Sequence, residues 1–357
     1  MSVRHLTDNW TGPSLCSEID NNHALKSTKI GVARWCEMQN EDTNDTHGRR
    51  AKSPAKIPLR GWKDIAYRLK STVEETHLSI VAAGVAFFLL LGIIPALAAA
   101  LMVYGYIADP QDFRILFEGA QGIIPDDVRE ILISQLQDIS APDGNAGIAA
   151  VISIVLALWA GSRGTKGLML AINIAYRERE RRGFIRKFVT AYLLTVALIM
   201  LGLMALLLVA LVPAILAFLP LSRVEETLAA WLRWPLLLLA NITVLTVLYR
   251  FAPSRRHPQW KWVSTGSIVA TIGWLIASAG FSLYVSSFGN FNETYGSLGA
   301  VVIFLLWLYL TAYLILLGAA INSEIEHQTA EDTTTGKPKP MGKRNAWVAD
   351  HSGRESN

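Results

Sequence analysis

Charge is scarce in this chain. Only 17% of its 357 residues are charged, against roughly 25% in an ordinary soluble domain, and 52% are hydrophobic. The scarcity is concentrated. Segments 80–107, 146–161, 188–218, 234–249, 262–288 and 298–321 hold no Asp, Glu, Lys, Arg or His. A hydrocarbon core ~30 Å thick takes about 20 apolar residues of helix, so these six are predicted as membrane spans and a string of soluble domains is excluded. Cysteine is nearly absent too. Cys16 and Cys36 both lie in the polar N-terminal stretch, which excludes a disulfide framework and a cysteine-based zinc site.

Catalytic patterns are missing as well. The seven histidines form no His-x-x-x-His pair, and neither GxxxxGK[ST] nor Gly-x-Ser-x-Gly occurs. The string Gly161–Gly167 resembles a phosphate-cradling loop in composition only. The expectation is therefore a protein without cofactor, metal site or catalytic residues. The spans also lack the mid-membrane carboxylates on which ion-coupled carriers depend. Residues 1–60 carry no apolar signal-peptide core, so the first hydrophobic helix is expected to act as an uncleaved membrane signal. Met38 offers an alternative start to Met1.

What charge there is alternates. Lys and Arg number 12 in 1–79, 2 in 108–145, 8 in 162–187, 2 in 219–233, 4 in 250–261, none in 289–297 and 5 in 322–357. Placing both termini in the cytoplasm puts 29 basic residues inside and 4 outside, as the positive-inside rule requires. The fold class read from this pattern is all-α: a polytopic membrane protein with six transmembrane helices. The net charge of +4 then reflects topology, and membrane lipids rather than nucleic acid are the expected partners.

Three regions follow: a disordered tail over 1–60, a membrane domain over 61–325, and a second disordered tail over 326–357. Both tails are polar and poor in aliphatics, too apolar-poor to offset the cost of ordering. Trp62, Ile65, Ala66, Leu69 and Val73 recur at helical spacing, with Lys63, Asp64, Arg68 and Lys70 opposite. That pattern suits a helix lying on the inner leaflet, or equally one packed on its own bundle. The outer loop 108–145 reads as amphipathic, with a helix starting at Pro125-Asp126-Asp127. The long third stretch must tilt or bend, with Pro213 a candidate bend. Gly161-Ser162-Arg163-Gly164 reads as a glycine-rich joint where the second helix leaves the membrane.

Within the spans the polar groups are neutral, mostly Ser, Thr and Asn, and suit interhelical hydrogen bonds. Gly266, Ala270, Gly273, Ala277 and Gly280 make a small-residue stripe that lets another helix approach. Gly92 and Pro95 sit near the centre of the first span. Pro95 frees a backbone carbonyl there, which reads as a simple kink or as the broken helix of a substrate site.

The first span from Ala82 to Pro95, the stretch Ser162-Arg163-Gly164 with Ala171–Tyr176, and the run Tyr295-Gly-Ser-Leu-Gly-Ala300 through Trp307, Tyr309, Gly318, Ala319 and Asn322 resemble the YihY/virulence factor BrkB family, once labelled ribonuclease BN. The resemblance covers about residues 61–329. It implies a six-helix bacterial inner-membrane protein connected with the cell envelope. Where family members commonly carry Glu in the last helix, this chain has Ala320, with Glu324 one turn on. Two functions compete: a transporter or flippase for a lipid or other amphiphile, and a non-transporting scaffold or binding protein. A tRNA-processing ribonuclease is disfavoured for want of metal ligands. Under the first reading, Gly92 and Pro95 would form a hinge. Arg163 and Lys166 would meet an anionic headgroup, with Asn173 and Tyr176 adding neutral hydrogen bonds.

Overall fold

A computed structural model describes residues 45–107, 146–218, 223–287 and 297–353. Cys16, Cys36 and the outer-loop helix expected after Pro125 lie outside the described residues. Those residues form helices without a named strand. A short helix α1 (Leu59–Glu75) precedes six long ones: α2 (Leu78–Ile107), α3 (Ala146–Ala175), α4 (Phe184–Phe218), α5 (Arg223–Phe251), α6 (Trp260–Ser287) and α7 (Ser297–Gln328). A single turn, α8 (Trp347–Asp350), closes the described chain. Each of the six long helices covers one of the six charge-free segments, to within one residue at the end of α6. By length and composition, Phe184–Gly202, Trp260–Val285 and Val301–Gln328 each suffice to cross a bilayer. The pair α1–α2, bent by 61° between Glu75 and Leu78, adds a fourth if it counts as one span. His77 makes that bend in the left-handed region, at φ 47°, which unwinds the helix for one residue.

Large apolar side chains cover the outside of the bundle: Ile80 and Leu91 on α2, Val155 on α3, Leu193 and Met200 on α4, Ile276 and Leu283 on α6, and Val301 on α7 are all exposed. Water would penalise so broad an apolar surface, whereas lipid would not. The interior is held by neutral hydrogen bonds. The Thr195 hydroxyl donates to Thr165 at 2.8 Å, Thr246 to Ser267 at 2.9 Å, and Asn241 to Thr271 at 3.0 Å.

The small-residue stripe of α6 lets a helix approach at Gly266 and Ala270, whereas Gly280 at its far end meets nothing within 4 Å. A Cβ on Gly266 would collide with the Gly318 carbonyl, and one on Gly318 would strike the Tyr249 hydroxyl and lie 2.7 Å from the Ala270 Cβ. Asn322 stitches this seam, accepting from Gly266 N at 2.7 Å and donating to Val263 O at 3.0 Å.

Two expectations change. The stretch Gly161–Gly164 is no joint, because α3 runs through it unbroken. Its glycine serves a helix crossing: a Cβ on Gly164 would sit 2.9 Å from Leu89 Cδ2 on α2. The second change concerns the tails. Residues 45–58 and 326–353, expected to be disordered, pack on the polar end of the bundle. Gln328 donates to His47 O at 2.7 Å and Thr329 to Ala51 O at 2.9 Å. Ala51 and Ile57 are buried with Ile65, Trp262 and Ile325. Arg344, its side chain almost fully buried, ties the C-terminal segment by donating to the carbonyls of Ala330, Glu331, Lys339 and Ala349. Side-chain bonds to backbone carbonyls and a few buried apolar residues, without apolar periodicity, order these segments.

Helix α1 resolves in favour of packing on its own bundle. Ile65 is buried, Leu69 and Val73 pack on the main core, and Asp64 and Arg68 turn inward. Arg68 Nε donates to Glu324 at 2.8 Å and Thr72 Oγ1 to the other oxygen at 2.8 Å. Lys63 and Lys70 stay on the exposed face.

Candidate functional site: an arginine-lined groove between two helices

The α3–α4 connection begins where Arg177, at φ 54°, ends α3 in the left-handed region. Asn173, a turn earlier, then fixes the neighbouring α5–α6 turn. Its Oδ1 accepts from Ser254 N at 2.7 Å and its Nδ2 donates to Glu180 at 3.3 Å. Arg182 donates to the carbonyl of Phe251, the last residue of α5, and to that of Ala252 just beyond it, and so caps that helix at the negative end of its dipole. These contacts bring two basic connections side by side.

Between them, and down the adjoining faces of α4 and α5, runs a groove of about 680 Å³. Its mouth is lined by Arg181, Arg182, Arg186, Arg255, Arg256 and His257, without a carboxylate among the lining residues. Its lower wall is apolar: Leu193, Leu194 and Ala197 of α4, with Val247 and Phe251 of α5. Leu193 and Ala197 belong to the charge-free stretch 188–218, so the groove runs from a cationic rim towards the apolar belt.

The five arginines are not equivalent. Arg255 is fully buried and paired with the equally buried Glu326 at 2.6 Å, its guanidinium 4.9 Å from the Tyr176 ring. Arg182 pairs with Glu180 at 2.9 Å, and Arg256 approaches Asp332 at 3.8 Å. Arg181 and Arg186 are exposed, and no carboxylate among the described residues lies within ion-pair distance of either. The C-terminal segment braces the turn from outside: Thr335 N donates to His257 O at 2.9 Å, and Arg256 N to Asn345 O at 3.1 Å.

Burial lowers the pKa of His257 below its ordinary value of about 6.5, and the neighbouring cations Arg250, Arg255 and Arg182 add to the effect. Its Nδ1 lies 3.0 Å from Arg250 O, a carbonyl that can only accept, so Nδ1 carries the proton. Because the folded-state pKa is depressed, this neutral imidazole contributes stability above about pH 6.5 that is lost as pH falls through the lower folded value. Scanning fluorimetry in detergent is expected to show a steeper acid loss of Tm for the native chain than for His257→Gln.

Among the sequence candidates, only Asn173 and Tyr176 reach the polar cluster beside the groove, and neither lines it. Tyr176 is buried, and burial together with the Glu326 carboxylate drives its hydroxyl pKa well above the ordinary value, so it stays neutral. Arg163 is exposed on α3 with its guanidinium 4.0 Å over the Trp159 ring. Lys166 lies 5.0 Å from the Phe188 ring and 5.4 Å from that of Tyr192. Gly92 and Pro95 fall within the continuous helix α2. The groove's own residues were missed because their only sequence signal was a count of positive charges.

The family model for virulence factor BrkB matches residues 69–342. The chain belongs to that family. The Bacillus subtilis ribonuclease-like protein YfkH is 33% identical over 248 residues, covering 68% of this chain and 88% of YfkH. A UPF0761 membrane protein of Rhodospirillum centenum is 23% identical over 268 residues, 73% of this chain. One of Ralstonia nicotianae is 25% identical over 262 residues, 72% of this chain. The chain spans little more than half of these last two, 57% and 58%. No solved structure matches. In this BrkB-family chain, no group of three or more His, Cys, Asp or Glu able to hold a metal occurs among the described residues.

Proposed function

We propose that this protein moves a lipid or other amphiphile of the cell envelope along the α4–α5 groove, spanning the inner membrane six times with both termini cytoplasmic. One observation carries the reading: a single groove joins a cationic rim, in which Arg181 and Arg186 make no ion pair, to an apolar wall drawn in part from the charge-free stretch 188–218. A solute without an apolar part gains nothing from that wall, and one without negative charge gains nothing from the rim. The UPF0761 relatives are named as membrane proteins, in keeping with a membrane role. The polar end bears the basic connections, which the positive-inside rule puts in the cytoplasm. A catalytic role is not proposed.

Topology is tested by reporter fusions after Arg182 and after Asp138. Cytoplasmic activity at the first and periplasmic activity at the second are expected, and the reverse at either site overturns the six-span arrangement. Transport is tested in proteoliposomes holding a fluorescent lipid in both leaflets. Externally added reductant should quench more than the outer half only when the protein is present. A scaffold leaves the inner half protected.

A further inference from the structure

We propose that the groove selects an amphiphile whose headgroup is a phosphate monoester, held by Arg181 and Arg186. The inference rests on the groove being an amphiphile site and specifies its ligand. Its basis is charge matching at the rim. Three of the five arginines already face carboxylates: Arg182 with Glu180, Arg255 with Glu326, and Arg256 with Asp332. Two make no ion pair, leaving the rim net positive in a groove lined by no acid. Arg181 acts on the buried Glu178 carboxylate only from beyond ion-pair distance, and that carboxylate already accepts from Trp347 N at 2.6 Å.

A phosphate monoester carries about −1.5 to −2 charges near neutral pH with three acceptor oxygens, and guanidinium forks match those oxygens bidentately. A phosphodiester brings one charge and leaves one arginine uncompensated. A carboxylate brings one charge and two oxygens. Gly183 and Arg186 of the lining also flank the first turn of α4, a 35-residue helix whose leading N–H groups and positive dipole end favour the same dianion. Below the rim, Leu193, Ala197 and Val247 supply the surface for the first methylenes of an acyl or prenyl chain.

The full-length protein, purified in a neutral detergent, is titrated with phosphatidic acid, phosphatidylglycerol, phosphatidylcholine and inorganic phosphate, and binding is read by native mass spectrometry and thermal shift. Phosphatidic acid is expected to bind about tenfold tighter than phosphatidylglycerol, which loses one charge-assisted pair, and phosphatidylcholine not at all. Arg181→Gln and Arg186→Gln should each abolish the preference, and Arg163→Gln should keep it. Equal affinity for phosphatidic acid and phosphatidylglycerol, or a preference untouched by either variant, overturns the monoester assignment. Inorganic phosphate binding as tightly as phosphatidic acid overturns the lipid part and makes free phosphate the ligand. These readouts need no flux. A protein that binds phosphatidic acid selectively but fails to scramble lipid leaves the ligand assignment standing and refutes transport instead.

Discussion

Glu326→Ala is expected to destabilise the fold by about 3–5 kcal/mol, the cost of stranding a buried charge. The Arg255 guanidinium it leaves behind is fully buried and donates both of its short bonds, 2.8 and 2.6 Å, to that carboxylate. Thr333 would also lose its 2.7 Å acceptor, loosening the C-terminal segment from the α5–α6 turn. Glu326→Leu combined with Arg255→Met should recover most of the loss, since an apolar pair of similar volume removes both charges from the interior. Thermal unfolding in detergent of the single and double variants measures the difference. A single variant as stable as the native chain would mean that Arg255 finds another partner or reaches water.

Gly318→Val should be more damaging than an ordinary overpacking change of about 1–3 kcal/mol. The obstacles at Gly318 are Ala270 Cβ at 2.7 Å, the Gly266 carbonyl at 2.8 Å and the Tyr249 hydroxyl, two of them parts of the rigid α6 surface. Separation of α6 from α7 would also break the Asn322 bonds to Gly266 and Val263. By contrast, Gly280→Ala meets nothing within 4 Å and should leave Tm unchanged. Size-exclusion profiles and Tm of the two variants, expressed side by side, check the contrast.

These two sites mark what the sequence could and could not disclose. The α6 stripe was legible because Gly266, Ala270 and Gly273 recur every three or four residues on one helix. The long helices were legible because removing charge over 16–31 residues leaves little else for a segment to do. Long-range pairings were not. Asp64 and Arg68 read only as part of the polar face opposite the apolar stripe of α1, since nothing in their spacing announces Glu324, 256 residues from Arg68. The termini read as disordered because carbonyl-directed bonds from Gln328, Thr329 and Arg344 leave no apolar pattern. Gly164 looked like a joint because a glycine needed for close approach and one needed for flexibility are the same letter. Ala320 proved to be a core residue, while Glu324, one turn on, is engaged by Arg68 and Thr72.

The groove failed to show for a similar reason. Arg181, Arg182 and Arg186 come from one connection and Arg255 and Arg256 from another some 70 residues later. Each group satisfied the positive-inside rule on its own. Arg163 was the more conspicuous cation because it sat in a glycine-rich string, yet its partner is the flat face of Trp159.

The most direct measurement is therefore lipid scrambling by proteoliposomes containing Arg181→Gln with Arg186→Gln, set against Arg163→Gln and the native chain at matched incorporation. The double variant should lose flux while its Tm stays within about 1 °C of native, because both side chains are exposed and such surface changes typically fall within ±0.5 kcal/mol. Arg163→Gln should scramble like the native protein. Undiminished flux in the double variant, or loss confined to Arg163→Gln, would contradict a pathway through the α4–α5 groove.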